Sequence, residues 1–255
     1  MGRRFSLFNF VLISFIAAQT PLEQGIAWYN RRAEGHVGAQ AAGEPISQSI
    51  AFFKDAVTNP QAEPVAGLYL LRAYYFRGKY VYDDEDLKKA DFNEGKELGE
   101  RLMEQYPDSA SYRYWYLANL GSWAEVYGIF AAAKEGVADI MKEQAEKIIA
   151  LDPRYKDGGG YFMLGAVHYK SPYIPFFLSW PDNEEAVIWL RKAISTGKAA
   201  LTQKIYLANA LYKEGQKNEA LRLLEEVRNT PPSVDETVED LYEIKEAEHL
   251  LEKYR

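Results

Sequence analysis

"EAVIWLRKAI" (185–194) and "EALRLLEEVR" (219–228) are the two stretches that decide the fold of this chain. Laid one on the other, they pair Ala186 with Ala220, Leu190 with Leu224 and Ala193 with Val227. Within each stretch the small and apolar positions fall at i, i+4 and i+7, which puts them on one face of a helix. The two stretches are offset by 34 residues. That is the period of a repeat in which a helix A and a helix B pair up and stack on the next pair. Such a unit cannot bury its apolar face alone, so the pattern implies a continuous stack.

Working outward, helix A repeats as well. "YLAN" occurs at 116–119 and 206–209, and "MLGA" at 163–166 fits the same frame. Ala118, Gly165 and Ala208 follow the leucine and leave room for a neighbouring helix. Leu207 and Ala220 are 13 residues apart, whereas Leu164 and Ala186 are 22 apart. The excess falls in "KSPYIPFFLSWPDN" (170–183), which predicts an insertion in the A–B turn of the fourth unit. Asp182, with Glu185 three residues later, reads as a capping box that restarts the helix.

Breakers divide the rest: "TNPQ" (58–61), "YPDS" (106–109), "LDPR" (151–154), "STGK" (195–198) and "TPPS" (230–233). The expected class is all-α: a tetratricopeptide-like α-α superhelix of about five helix pairs plus a C-terminal capping helix. The pairs are placed at 22–58, 63–106, 109–152, 158–196 and 199–229, and the last helix at 235–254. "GIFAAAKEGVADIMKEQAEKIIALDP" (128–153) reads as one long helix B of unfixed register. HEAT-like pairs, with periods near 40–47, are the rival for the first three units.

Composition bounds the function. The chain has 255 residues, no cysteine and a net charge of −7. Disulfides, thiolate metal sites and Cys nucleophiles are thereby excluded. An acidic chain without a basic cluster argues against nucleic-acid binding. Met1–Arg4 is a short basic head, followed by an apolar run over 5–18 and small residues in "AAQT" (17–20). That order is that of a signal peptide over 1–19, leaving one repeat domain over 20–255. Export to the periplasm or medium follows, without a lipoprotein cysteine at the cleavage site. An uncleaved anchor is the alternative, although the run is short of a bilayer span.

"FNEGKELGERLMEQYPDSASYRYWYLANLGSW" (92–123), "EKIIALDPRYKDGGGYFMLGAVHYKSP" (146–172) and "EAVIWLRKAI" together resemble the TRAP transporter T-component family, over about 92–230. The resemblance implies a periplasmic helical-repeat protein that assists uptake of organic acids dependent on a substrate-binding protein. The chain departs from the family in lacking the lipoprotein cysteine of some relatives and in carrying "IPFFLSWPDN" (174–183) in a turn where a shorter one is expected.

The chemical motifs have plain structural readings. His36, His168 and His249 fall in different units without metal-ligand spacing, so no metal site is expected. "DGGGYFMLG" (157–165) lacks the Gly-Lys-Ser/Thr of a phosphate loop and joins two helices. "DDED" (83–86) lacks EF-hand spacing and suits a helix start. No hydrolase motif stands out, and the expectation is a non-enzyme without cofactor.

Two surfaces remain. Positions two, five and six after the helix-A leucine should face the concave groove. These are Asn119, Ser122 and Trp123, then Ala166, Tyr169 and Lys170, then Asn209, Tyr212 and Lys213. Their amides, ammoniums and aromatic rings would suit a ligand with an apolar body and a carboxylate. Tyr173, Phe176, Phe177 and Trp180 of the insertion form the second surface. Their solvation would be costly at roughly 25 cal/mol per Å², so they should pack on the repeat's edge and leave part free for a partner. The expected partner is a protein, such as a periplasmic substrate-binding protein, or a small organic acid. The alternative is a structural or assembly protein of the cell envelope, acting through protein contacts or as a homo-oligomer.

Overall fold

The computed structural model describes residues 19–176 and 178–255. The expected leader, but for Gln19, and Phe177 of the insertion lie outside the described residues. The order of helices is α1 (Pro21–Asn30), α2 (Gly43–Ala56), α3 (Glu63–Tyr80), α4 (Glu85–Gln105), α5 (Ala110–Tyr127) and α6 (Ile129–Lys134). There follow α7 (Val137–Leu151), α8 (Gly159–Lys170), α9 (Asn183–Thr196), α10 (Leu201–Lys213), α11 (Lys217–Arg228) and α12 (Thr237–Tyr254). Only two isolated β-bridges occur among the described residues, Val37 with Gln40 and Ile174 with Leu178.

Local chemistry sets the helix ends. Thr20 and Glu23 form a reciprocal capping box at α1. Asp84 of "DDED" accepts the amides of Asp86 and Leu87 to start α4. Ser109 caps α5 and Asp182 caps α9. The box expected at α9 is only half present. Asp182 accepts the Glu185 amide at 3.0 Å, but its own amide donates to His168 Nδ1 at 3.2 Å rather than to Glu185.

The 34-residue phase is realised in space. Ala186 and Ala220 are each the fourth residue of their helix and are fully buried, as are Leu190 with Leu224 and Ala193 with Val227. Close packing of A on B needs the small residue: a Cβ on Gly165 would lie 2.6 Å from Leu190 Cγ and 3.0 Å from the Leu190 backbone nitrogen.

The third unit corrects the sequence reading. The single long helix B expected after residue 128 is broken into α6 and α7. Gly128 (φ +85°) separates α5 from α6, and Gly136 (φ +64°) separates α6 from α7. Both have a positive φ that glycine adopts without a Cβ clash. The helix formers of "IFAAAK" between them mask this break in the sequence.

Two apolar cores result. The first holds Ile46, Phe53, Leu71 and Phe76, and the second holds Leu120, Ile148, Leu190 and Leu224. The capping helix joins them. Val238 of α12 lies in the first core, while Ala247, Leu251 and Tyr254 lie in the second. So α12 packs on α10 and α11 and also returns to α3, closing the concave side.

Candidate functional site

With α12 as one wall, the helices surround a cavity of about 660 Å³ that is partly open to solvent, within the range of small-molecule sites. It is lined by α1, α3, α5, α6, α7, α8, α10 and α12, and by Ser171, Pro172, Ile174 and Leu178 of the insertion. The space exists because the helix faces turned toward it are small. Ala118, Gly121 and Ala124 on α5, Ala132 and Ala133 on α6 and Ala166 on α8 all line it.

One end is aromatic and charged. Tyr29, Tyr75, Tyr114 and Trp115 line it with Arg32, Arg72 and Lys79. Burial pushes the hydroxyls of Tyr29 and Tyr114 up, so both stay neutral hydrogen-bonding groups. Three ion pairs bound this end. Arg32 meets Glu239 at 2.9 Å, Lys79 meets Glu243 at 3.6 Å, and Lys156 meets Glu236 at 3.5 Å. Burial raises the carboxyls of Glu239 and Glu243, while Arg32 and Lys79 respectively oppose it.

The other end is made by the irregular elements. Gly128, Ile129, Ala132 and the insertion line it after the C-terminal ends of α5 and α8. The insertion is pinned by Trp180. Its indole Nε1 donates to Asp139 Oδ1 at 2.7 Å, its ring meets His168 edge-on at 4.9 Å, and Lys142 lies 4.7 Å from its centre. Several side chains near this anchor are exposed. Tyr173 is 62% and Phe176 99% exposed, and on α6 Ile129 is 61% and Phe130 93% exposed.

The structure redistributes the residues expected to line the groove. Ser122, Ala166 and Lys170 line the cavity, with Lys170 paired to Glu125 at 2.9 Å. Asn119 does not line it. Its amide donates to the carbonyls of Leu71 and Trp115, and its Oδ1 sits where a Cβ on Gly95 would be. Trp123 also faces away, donating to Asn93 Oδ1 at 2.7 Å and stacking on Tyr127 at 4.4 Å. Asn209 and Tyr212 are covered by α12, where Tyr254 donates to Asn209 at 2.6 Å and stacks on Tyr212 at 3.6 Å. Tyr169 lies behind Tyr206 at 6.1 Å, with Lys213 5.8 Å from its ring. The offset rule assumes that every A helix presents the same register to an open groove. Here α5 shows Ala118, Gly121 and Glu125 beside Ser122, and α12 packs on α10.

Arg72, Tyr75, Lys79, Trp115 and Tyr206 were missed by that rule. The legible signal was the helical spacing of small residues at 118, 121 and 124, beside "FAAAKEG" (130–136).

With fold and site in hand, the chain is a tetratricopeptide-like helical-repeat protein. A solved tetratricopeptide protein of Thermus thermophilus, TTC0263, superposes with a TM-score of 0.59 at 16% identity, covering 92% of this chain and 96% of that one. No protein-family model matches the chain. Among curated proteins, regulator of microtubule dynamics protein 3 of Rattus norvegicus is 26% identical over 200 residues, 72% of this chain and 41% of that protein. The Mus musculus protein of the same name is 24% identical over the same coverage. The chain thus spans about two fifths of the length of the curated relatives it matches.

Proposed function

We propose that the chain is a non-enzymatic binding protein that carries a small amphipathic molecule inside its closed superhelix. The observation that carries this reading is the cavity of about 660 Å³, with small apolar residues along α5, α6 and α8 and a charged aromatic end. A chamber of that size and lining excludes water from an apolar body and holds a polar group at one end. The resemblance of 92–230 to TRAP T-components supports an accessory role beside a substrate-binding protein, and the leader-like 1–19 supports export. The microtubule role in the names of the two mammalian relatives belongs to longer proteins and stays with them.

The test uses the full chain and N-phenyl-1-naphthylamine, a neutral probe that brightens out of water. Saturable binding of one probe per chain is expected, and Gly121→Phe, which places a ring in the cavity, should abolish it with helical circular dichroism unchanged. Non-saturable binding, or equal binding by Gly121→Phe, would rule the chamber out.

A second reading, a structural or assembly protein working through protein contacts, is favoured by the exposure of Phe130 and Phe176. Sedimentation of the full chain at rising concentration separates the two. Self-association lost on changing both residues to serine would favour assembly.

A further inference from the structure

Five basic side chains line the cavity, and they are not equivalent. Arg32, Lys79, Lys156 and Lys170 each have a carboxylate partner: Glu239, Glu243, Glu236 and Glu125. Arg72 has no ion pair among the described residues, and its Nε is buried without a hydrogen bond. It is held by rings instead, its guanidinium carbon lying 4.8 Å from the centre of Tyr29, 5.0 Å from Tyr69 and 5.5 Å from Trp115. Aromatic rings stabilise a cation but leave its N–H groups unsatisfied. Two guanidiniums, Arg32 and Arg72, pack on Tyr29, and of the two only Arg32 is paired with a carboxylate, that of Glu239. Arg72 therefore has no carboxylate at ion-pair distance among the described residues, in a partly buried wall where an anion is the natural complement.

We infer that Arg72 is the seat for the acidic head group of the cavity's ligand, a single-chain amphiphile such as a fatty carboxylate, whose tail runs toward α6 and the insertion. This rests on the chamber reading above and names the head-group chemistry within it. Position supports it. Arg72 packs on Trp115 near the start of α5, and the cavity lining continues to Gly128 at that helix's end. At 1.5 Å per residue the two levels are about 20 Å apart, room for roughly a dozen C–C bonds of about 1.5 Å. Along that path the lining includes Ala118, Gly121, Ala124 and Ile129 on α5 and α6 and Met163 and Val167 on α8, with the paired Glu125 and Lys170 beside them. A guanidinium also suits a carboxylate by geometry, because its fork can donate two parallel hydrogen bonds.

The experiment compares dodecanoate with dodecanol, the same tail with a charged or a neutral head. Each displaces N-phenyl-1-naphthylamine from the full chain at neutral pH. Dodecanoate should compete at about tenfold lower concentration or better, the gain expected of charge-assisted hydrogen bonds. Arg72→Leu should bring the ratio near unity while leaving dodecanol unchanged, and Arg72→Lys should keep part of the preference. Equal competition by the two compounds in the wild-type chain overturns the head-group seat and leaves the chamber standing. A preference that survives Arg72→Leu also overturns it. Failure of both compounds to displace the probe sinks the chamber and the seat together. Should Arg72→Leu not fold, the wild-type ratio and Arg72→Lys still decide.

Discussion

Along α12, Val238, Ala247 and Leu251 are almost wholly buried, whereas on α6 and the insertion Phe130 and Phe176 are almost wholly exposed. Both regions border one cavity. The α12 seam is closed by shape and by paired charge, with Arg32–Glu239, Lys79–Glu243 and the edge-on contact of Tyr80 with Tyr242 at 5.4 Å. The α6 and insertion side is held by Trp180, by the Asp182–His168 hydrogen bond and by the alanines of α6, and is interrupted by glycines. The repeat is regular where it must be stable and broken where the chamber meets solvent. The low-stability elements of a fold are the ones that can move to admit a ligand.

The largest effect should come from breaking the seam. Glu243→Leu leaves Lys79 in a largely buried position without its carboxylate, and about 3 kcal/mol of stability should be lost. Urea unfolding measures it, and probe binding should fall with it because α12 no longer closes the chamber. A double change, Lys79→Met with Glu243→Leu, should recover most of the loss, since a hydrophobic pair can replace a buried ion pair. An unchanged midpoint in the single variant would show that α12 does not depend on this contact.

Next in size is the packing of the fourth unit. Gly165→Ala places a Cβ 2.6 Å from Leu190 Cγ and 3.0 Å from backbone, so relief requires the helices to part. A loss of about 1–3 kcal/mol is expected. The same change at Gly121 meets only Met141 Cε at 3.4 Å, an ordinary contact, and should be close to neutral. The contrast separates a helix face that packs on a helix from one that borders the cavity.

These two glycines also show what was legible in the sequence. Gly165 follows a repeat leucine, so periodicity marked it as a packing residue, and the phase of Ala186 with Ala220 came from the same rhythm. Repeats write their stacking into local spacing, and that is why helix pairs and caps were readable. Gly128 and Gly136 were not read as breaks, because the helix-forming residues between them carry the opposite local signal. The chamber was less legible still. It depends on α12 returning to α3, where Lys79 meets Glu243, and to the turn after α1, where Arg32 and Glu239 are 207 positions apart. Nothing in local periodicity encodes that return, so the concave face was taken as open. Asn209 and Tyr212 were assigned to a groove that α12 fills.

A smaller effect should follow acidification at the insertion. Burial lowers the His168 pKa below 6.5, assisted by Lys142 and opposed by Glu185 and Asp182. The neutral ring accepts the Asp182 amide and packs against Trp180, which Asp139 holds from the other side. The unfolded chain binds the proton more readily, so this contribution is present above about pH 6.5 and is lost as pH falls through the folded value. Trp180 fluorescence, isolated by changing the other tryptophans to phenylalanine, should shift as pH drops from 7 toward 5. His168→Gln should flatten the response, and a shift that persists in that variant would locate the titrating group elsewhere.

The smallest expected effect has the opposite sign. Phe176 holds φ at +67° while its ring is 99% exposed. A left-handed backbone costs a bulky residue about 1–2 kcal/mol that glycine does not incur, and an exposed ring recovers almost nothing by burial. Phe176→Gly should therefore leave stability level or raise it by up to about 1 kcal/mol, the flexibility of glycine in the unfolded chain offsetting part of the gain. For a chain of this size that is about 2 °C in the melting temperature. Phe130→Ser on α6 should stay within about 0.5 kcal/mol of wild type. Paired with the exchange rate of bound N-phenyl-1-naphthylamine, these variants sharpen the contrast between seam and mouth. Slower or faster exchange at unchanged stability assigns the exposed rings to traffic through the mouth. A clear loss of stability in Phe176→Gly would instead show that the ring is seated against the repeat, and the two sides of the cavity would then be alike.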